Sequence, residues 1–266
     1  MSPFDRTKEE LYAEGLKLAR AEIKAEGKSK EYVEAYVKSF AKSYVIGFWK
    51  GVAKALSDAA SIRYKQISKS LVKAILSTDD KTLLSKISDA LDANESFADF
   101  EKAVAPLILP QIRPATEEDV DKIPGFIKGI AEYEKMTDEV VVTEDMLRDW
   151  LFVKGIAEVI FVLMNGKEVG FALFFPNYST FLGRGGLYLE DLFVLPDFRG
   201  KGCGKALLKR LAQIAVERNY GRVEWRCLKW NRPSIDFYRS LGAIELKEWT
   251  TFRLCGDAIP NLANRD

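Results

Sequence analysis

Three prolines within nine positions, Pro106, Pro110 and Pro114 in the run APLILPQIRPAT, divide the 266-residue chain into parts that follow different periods. Proline lacks the amide hydrogen and restricts the residue before it, so a helix continuing through this stretch is not expected. Before it the chain has no proline after Pro3, and its apolar residues recur at helical spacing. Val33, Tyr36, Val37, Phe40, Tyr44, Phe48, Val52 and Leu56 form the clearest stripe, at three- and four-residue steps with Lys and Glu between, which predicts a long amphipathic helix. Leu11, Leu16, Arg20 and Ile23 predict a weaker stripe ended by a break at Glu26-Gly27. Ile67, Leu71 and Ile75, then Leu83, Leu84, Ile87 and Leu91, predict two more helices, and Ser96 with Asp99 caps a last short one. The expected arrangement is an all-α domain of four or five helices over 1–108, followed by a second domain over 109–266.

In the second part strands alternate with helices. Residues 111–113 begin a strand, 117–133 read as a helix kinked at Pro124-Gly125, and a further helix is expected over 143–151. Two strands, 157–164 and 168–175, flank Asn165-Gly166, a strong hairpin signal. Then follow a strand at 187–194, a helix at 205–218, a strand at 223–228, a helix at 233–241 and two final strands within 243–254. This is an α/β pattern in which a hairpin meander feeds a strand-loop-helix unit.

Composition removes whole classes of chemistry. The chain has no histidine, which excludes a Ser-His-Asp or Cys-His nucleophilic site, a His-ligated zinc and a His-based pH switch. Its 40 Lys and Arg nearly balance 39 Asp and Glu, so no whole-molecule field favours nucleic acid or an anionic membrane. Cys203, Cys227 and Cys255 lack metal-ligand or CxxC spacing and read as thiols in a reducing cytoplasm. The polar start MSPFDRTKEE is not signal-like, and no apolar run is long enough to span a bilayer. The expectation is a soluble cytoplasmic protein without metal or membrane.

The most specific stretch is LYLEDLFVLPDFRGKGCGKA, residues 187–206. A hydrophobic strand runs into Arg199-Gly200-Lys201-Gly202-Cys203-Gly204-Lys205 and at once into an amphipathic helix with Leu207, Leu208, Leu211, Ile214 and Ala215 inward. Glycines at alternate positions let successive amides point into one cavity at a helix N-terminus, which favours a phosphate or diphosphate. A Walker A loop needs Ser or Thr where Ala206 stands. A dinucleotide GxGxxG begun at Gly200 or Gly202 needs glycine where Lys205 or Leu207 stands.

The remaining pattern, Arg-x-x-Gly-x-Gly after a strand, resembles the acyl-CoA diphosphate loop of the GNAT superfamily of N-acetyltransferases. The likeness covers roughly 111–254: IRPAT at 112–116, EYE at 132–134, STFLGR at 179–184, YLED before the loop and WNRPSIDFYRSLGA at 230–243 are similar to the diamine (spermidine/spermine) and thialysine acetyltransferase branch. It implies the GNAT α/β fold, with a mixed, largely antiparallel sheet flanked by helices. It also implies acetyl-CoA as co-substrate and direct transfer to a primary amine of a small polyamine- or thialysine-like molecule.

Carried over residue by residue, the resemblance puts the main chain of Leu192, Phe193 and Val194, in a bulged strand, beside the thioester and pantetheine arm. Arg199, Gly200, Lys201, Gly202, Cys203, Gly204 and Lys205 fall at the diphosphate, and Asn231, Arg232, Pro233 and Ser234 at a second cofactor contact. Tyr238 matches the general-acid tyrosine; a phenol with a pKa of about 10 stays protonated and can donate to a departing thiolate. Tyr133, Glu134 and Glu190 match substrate-facing positions, Glu190 as amine anchor or water-relayed base. Glu190 and Asp191 are neighbours on a strand and are expected on opposite faces, which leaves Asp191 structural. The loop before Trp249 is shorter than in the diamine enzymes, and Glu248 is the candidate carboxylate there. Each assignment has a plainer counterpart: loop lysines and Glu134 as solvated charges, Asn231 and Ser234 as helix caps.

Two other readings stand beside this one: a protein or peptide amine as acceptor, recruited by the helical part, and an acetyl-CoA-sensing interaction protein without turnover. A homodimer is expected, because enzymes of this branch are commonly dimers, and a protein partner is the alternative use of the N-terminal helices. Nucleic acid is not expected there, since Lys and acidic residues nearly cancel.

Overall fold

The computed structural model describes residues 2–23, 28–65 and 67–265, so the expected break at Glu26-Gly27 lies outside the described residues. Two compact units are present, Met1–Glu224 and Trp225–Asp266.

The first unit begins with five helices: α1 (Lys8–Glu22), α2 (Lys30–Tyr64), α3 (Lys69–Leu76), α4 (Lys81–Ala93) and α5 (Phe97–Ile108). Each starts where a short polar side chain can satisfy a free amide of the first turn. Thr7 accepts from Glu10 N at 3.0 Å, Ser29 from Tyr32 N at 3.2 Å, Ser68 from Leu71 N at 3.3 Å, Asp80 from Leu83 N at 2.9 Å and Ser96 from Asp99 N at 3.2 Å. Their inner faces share one core in which Leu11, Trp49, Leu71, Ile75, Leu84, Ile87, Phe100 and Val104 are buried.

Packing departs from the expected stripes in one respect. In α2 the buried residues are Val37, Ala41, Val45, Trp49, Ala53, Leu56, Ser57 and Ala60, so Val37 and Leu56 of the predicted stripe are buried, while Tyr44, Phe48 and Val52 are half-buried at the margin and Tyr36 is exposed. In α1 the buried residues are Leu11, Gly15 and Ala19 rather than Leu16 and Arg20. The reason is close approach: a Cβ on Gly15 would lie 2.8 Å from Ala41 Cα, so the two helices meet through their small residues and the large ones flank the seam. Pro106 lies inside α5, contrary to expectation; its usual acceptor would be the carbonyl of the exposed Lys102, and the helix ends two residues later at Ile108.

The sheet follows, with strands β1 (Gln111–Pro114), β2 (Glu158–Met164), β3 (Lys167–Ser179), β4 (Arg184–Val194) and β5 (Val223–Trp225) in the order β1-β2-β3-β4-β5. The first four pair antiparallel, and a crossover helix leads from β4 to β5, which makes the sheet mixed. Asn165 and Gly166 both have positive φ, +51° and +73°, as the tight hairpin between β2 and β3 requires. Helix α6 (Ile123–Glu134) carries Pro124 in its first turn, so this proline starts the helix instead of kinking it; a separate 3-10 turn, Glu117–Asp119, precedes it. The helix expected at 143–151 is a short α7 (Glu144–Leu147) continued by a π-helical turn, Arg148–Val153. Phe126 of α6 packs on Phe161, Phe171 and Phe193 on one sheet face. The opposite helix, α8 (Cys203–Glu217), buries Leu207, Leu208, Leu211, Ile214 and Ala215, as the sequence predicts. At the β1 end, Arg113 and Lys122 pair with Asp119 and Glu168, and Arg113 holds the buried Asp119 carboxyl far below the usual range.

The second unit contains α9 (Arg232–Ser240) and α10 (Ala258–Ala263). Among the described residues 243–254 there is no strand, which corrects the expected final pair; β5 also ends at Trp225, short of residue 228. Alternating β-formers do not make a strand without a neighbouring main chain to pair with, and Ile244, Trp249 and Phe252 here are 84%, 74% and 90% exposed.

Candidate active site

The loop between β4 and α8 is shaped by its glycines. After Val194 a 3-10 turn, Pro196–Phe198, leads to Gly200 with φ +74° and Gly202 with φ +88°, conformations that residues with a Cβ adopt only at a cost. Gly202 is the N-cap of the 15-residue α8, and no side chain caps that end. The first amides of the helix are therefore offered to a ligand, where the helix dipole favours an anion. Gly204 lies in the first turn. Lys201 sits over the Phe198 ring at 5.3 Å, and Lys205 is exposed. Cys203 is buried and burial pushes its thiol up, so it is held as the neutral thiol. These features fit an acyl-CoA diphosphate.

Arg199 joins this loop to the opposite helix. Its Nε donates to the Val194 carbonyl at 3.0 Å, and its guanidinium lies 4.9 Å from the Tyr133 ring centroid and 5.5 Å from that of Phe193. Beside it opens a cleft of about 490 Å³ lined by Lys128, Glu132, Tyr133, Phe193, Leu195 and Arg199. Helix α6 reaches β4 because Gly129 faces Phe193; a Cβ there would lie 2.7 Å from the ring. Lys128 and Glu132 were not among the expected site residues. The signal for them was present, since Gly125, Lys128, Gly129 and Glu132 are spaced as one helical face.

The acidic residues gather at an irregularity in β4. Leu173 pairs with Asp191 and Phe174 with Leu189, so Glu190 is the extra, bulged residue. Leu192, Phe193 and Val194 pair regularly with Ala172, Phe171 and Gly170, which moves the bulge from its expected position to Glu190. Strict alternation fails at a bulge, and with it the expectation that Glu190 and Asp191 belong to separate faces. By register Asp191 shares the α6 face with Leu173 and Phe193. Glu190 is exposed and Asp191 half-buried. Burial, then the charges of Glu190 and Glu134, push the Asp191 carboxyl up to about 6. Burial also raises Glu134, in the last turn of α6 next to Tyr133.

In the second unit Asn231 is buried and caps α9, its Oδ1 accepting from Ser234 N at 3.3 Å, with Pro233 in the first turn and Arg232 exposed. One turn on, the half-buried Tyr238 meets the Trp225 ring edge-on at 5.1 Å and Phe237 at 5.5 Å. Glu248 is exposed. Among the described residues no group of three or more His, Cys, Asp or Glu is placed to hold a metal, and no described helix is long and apolar enough to cross a membrane.

Comparison with known proteins points to one family. The acetyltransferase (GNAT) family model matches residues 126–243. The thialysine N-epsilon-acetyltransferase of Bos taurus is 35% identical over 170 residues, covering 58% of this chain and 97% of that protein. The L-ornithine N5-acetyltransferase of Arabidopsis thaliana is 50% identical over 90 residues, 34% of this chain and 40% of its own length. Among solved structures, an integron cassette protein from V. cholerae superposes with a TM-score of 0.51 at 28% identity, over 59% of this chain and 98% of its own. None of these three alignments covers more than 59% of the chain.

Proposed function

Given that the chain belongs to the GNAT acetyltransferase family and is an N-acetyltransferase, we propose that it acetylates the primary amine of a small diamine or of an amino acid with a side-chain amine, taking the acetyl group from acetyl-CoA. The observation that carries the acceptor class is the group of carboxylates Glu134, Glu190 and Asp191 at the β4 bulge, a setting for an ammonium ion. The named acceptors of the two relatives, thialysine and L-ornithine, each carry such an amine.

In this reading the amides of Gly200 to Lys205 hold the cofactor diphosphate, with Arg199 fixing the loop, and residues 231–234 supply a second contact. Acetyl-CoA supplies the activated thioester. Within Leu192, Phe193 and Val194, the main-chain groups that alternate pairing with β3 leaves directed away from that strand steady the oxygen on which charge develops. Glu190 takes the ammonium proton through water, freeing the amine to attack; the C–N bond forms, the C–S bond breaks as Tyr238 gives its proton to the departing thiolate, and the second proton lost by the nitrogen on becoming an amide returns Tyr238 to the phenol. Tyr133 and Glu134 orient the acceptor. The Cys203 thiol, buried and protonated, takes no acetyl group, so transfer is direct.

The division into a helical domain, 1–108, and a catalytic domain, 109–266, the homodimer and a reducing cytoplasm belong to the same proposal. The separate helical core supports its first part. The test is release of free CoA across a panel of thialysine, ornithine, lysine, polyamines and lysine-containing peptides. Turnover confined to the small amines is expected. Turnover on peptides alone, or on nothing, overturns the acceptor class.

A further inference from the structure

The balance of charge in the helical region is a sum over two unlike stretches of sequence. From Val37 to Leu76 the sequence carries eight Lys and Arg against one acid, Asp58, whereas from Asp79 to Glu101 it carries seven acids against two lysines. In α2 four of these cations, Lys38, Lys42, Lys50 and Lys54, stand at four-residue steps on one ridge, with Ile46 as the middle member, and all four lysines are exposed. Exposed acids stand at both ends of the same ridge, Glu34 one step before Lys38 and Asp58 one step after Lys54, and Asp58 pairs with Lys54 at 2.9 Å. The ridge runs for about 24 Å at roughly 1.5 Å of rise per residue.

The surface beside the ridge decides what kind of anion it suits. The adjoining exposed row is Ser39, Ser43, Gly47, Gly51, Ala55 and Ala59, and nothing lies within 4 Å of where a Cβ on Gly47 or Gly51 would be. A membrane-surface helix needs a continuous face of large apolar residues beside its cations; this row has none, and on the ridge itself Ile46 stands alone between the lysines. A protein docking site draws its affinity from buried aromatic or aliphatic anchors, which the row also lacks. A line of cations beside a low, unobstructed row can instead draw close to a polyanion whose binding is electrostatic. Duplex nucleic acid presents about one phosphate charge per 1.7 Å of axis, so the ridge spans roughly fourteen of them.

We propose that the α2 ridge Lys38, Lys42, Lys50 and Lys54 is a sequence-independent docking surface for the phosphate backbone of a nucleic-acid duplex. It is independent of the acetyltransferase site, because none of its residues belongs to the catalytic machinery.

The test is fluorescence anisotropy of the full chain with a labelled 24-base-pair duplex of arbitrary sequence. With four phosphates neutralised, affinity at 50 mM salt exceeds that at 200 mM by about 100-fold. The quadruple variant Lys38→Gln, Lys42→Gln, Lys50→Gln, Lys54→Gln, in which glutamine keeps helix propensity, loses most of the binding and most of the salt slope. A charge-matched control with Lys86, Lys102, Lys167 and Lys209 changed to Gln keeps both. Far-UV circular dichroism and unchanged acetyl transfer check that the ridge variant is folded. Absence of binding at 50 mM salt, or an equal loss in ridge and control variants, overturns the proposal. So does tighter, ridge-dependent binding to phosphatidylserine vesicles than to the duplex, which reassigns the surface to anionic lipid.

Discussion

The helical region and the acetyltransferase region are built with different tolerances for irregular backbone. In the first, five capped helices meet side chain to side chain, and the tight approach of Gly15 to Ala41 concerns space. In the second, the features placed to bind or react rest on broken regularity: left-handed glycines at 200 and 202, an uncapped helix start and an extra residue in β4. Stability in both comes from ordinary burial. Chemistry is found where local rules are suspended, because only there do amides and carboxylates point away from their own ladder.

The largest expected effect tests whether chemistry is confined to the second region. Tyr238→Phe should lower kcat by about 10³-fold through loss of general-acid catalysis, with acetyl-CoA affinity measured by calorimetry nearly unchanged. An unaltered kcat removes the phenol from the reaction.

Asp191 comes next. Its folded-state pKa lies above the ordinary carboxylate value, so the folded chain holds this proton more tightly than the unfolded one. The corresponding stability is full below about pH 4 and is lost as pH rises toward and through about 6. Asp191→Asn should therefore raise stability at pH 8 by up to about 3 kcal/mol and leave it unchanged at pH 4, as read from urea unfolding at the two pH values. It should also raise the acceptor KM. Equal stabilisation at both pH values would remove ionisation as the cause.

Two glycines then compare the regions directly. Gly15→Ala should cost about 2 kcal/mol by overpacking while leaving kcat and KM as they are. Gly202→Ala, strained at φ +88°, should weaken acetyl-CoA binding about 10-fold with less effect on the midpoint of the helical core. If the two variants exchange their effects, the distinction between space and backbone conformation fails. The smallest change is expected from Cys203→Ala, with turnover within about 3-fold of the parent if no acyl-enzyme forms; complete loss of turnover would mean a covalent step.

Much of this was legible in the sequence because it depends on short-range pattern. The Asn165-Gly166 hairpin, the inner face of α8 and the Ser96 cap follow from neighbours a few residues apart. The β4 bulge was not, since LYLEDLFV reads as one strand and only pairing with β3 shows that Glu190 has no partner position. Val37 and Leu56 of the predicted α2 stripe are buried but Tyr44, Phe48 and Val52 lie beside the seam, because hydrophobicity marks the large residues whereas the close contact of Gly15 with Ala41 selects small ones. The sequence predicts a kink at Pro124 because composition does not say whether a proline lies inside a helix or, as here, in its first turn. The expected strands in 243–254 rested on residue type alone, and pairing is what a strand consists of.

The bulge has a consequence for how such a site can be acquired. With Glu190 left out, the pairings Leu173 to Asp191 and Phe174 to Leu189 become consecutive, and every other side chain of β4 keeps its face. The carboxylate is thus an insertion that the sheet neither requires nor resists: a strand made one residue longer gains a charged group beside the cleft while its hydrophobic faces stay as they were. Deleting the residue tests the fold and the acceptor site separately, which no substitution at that position can do.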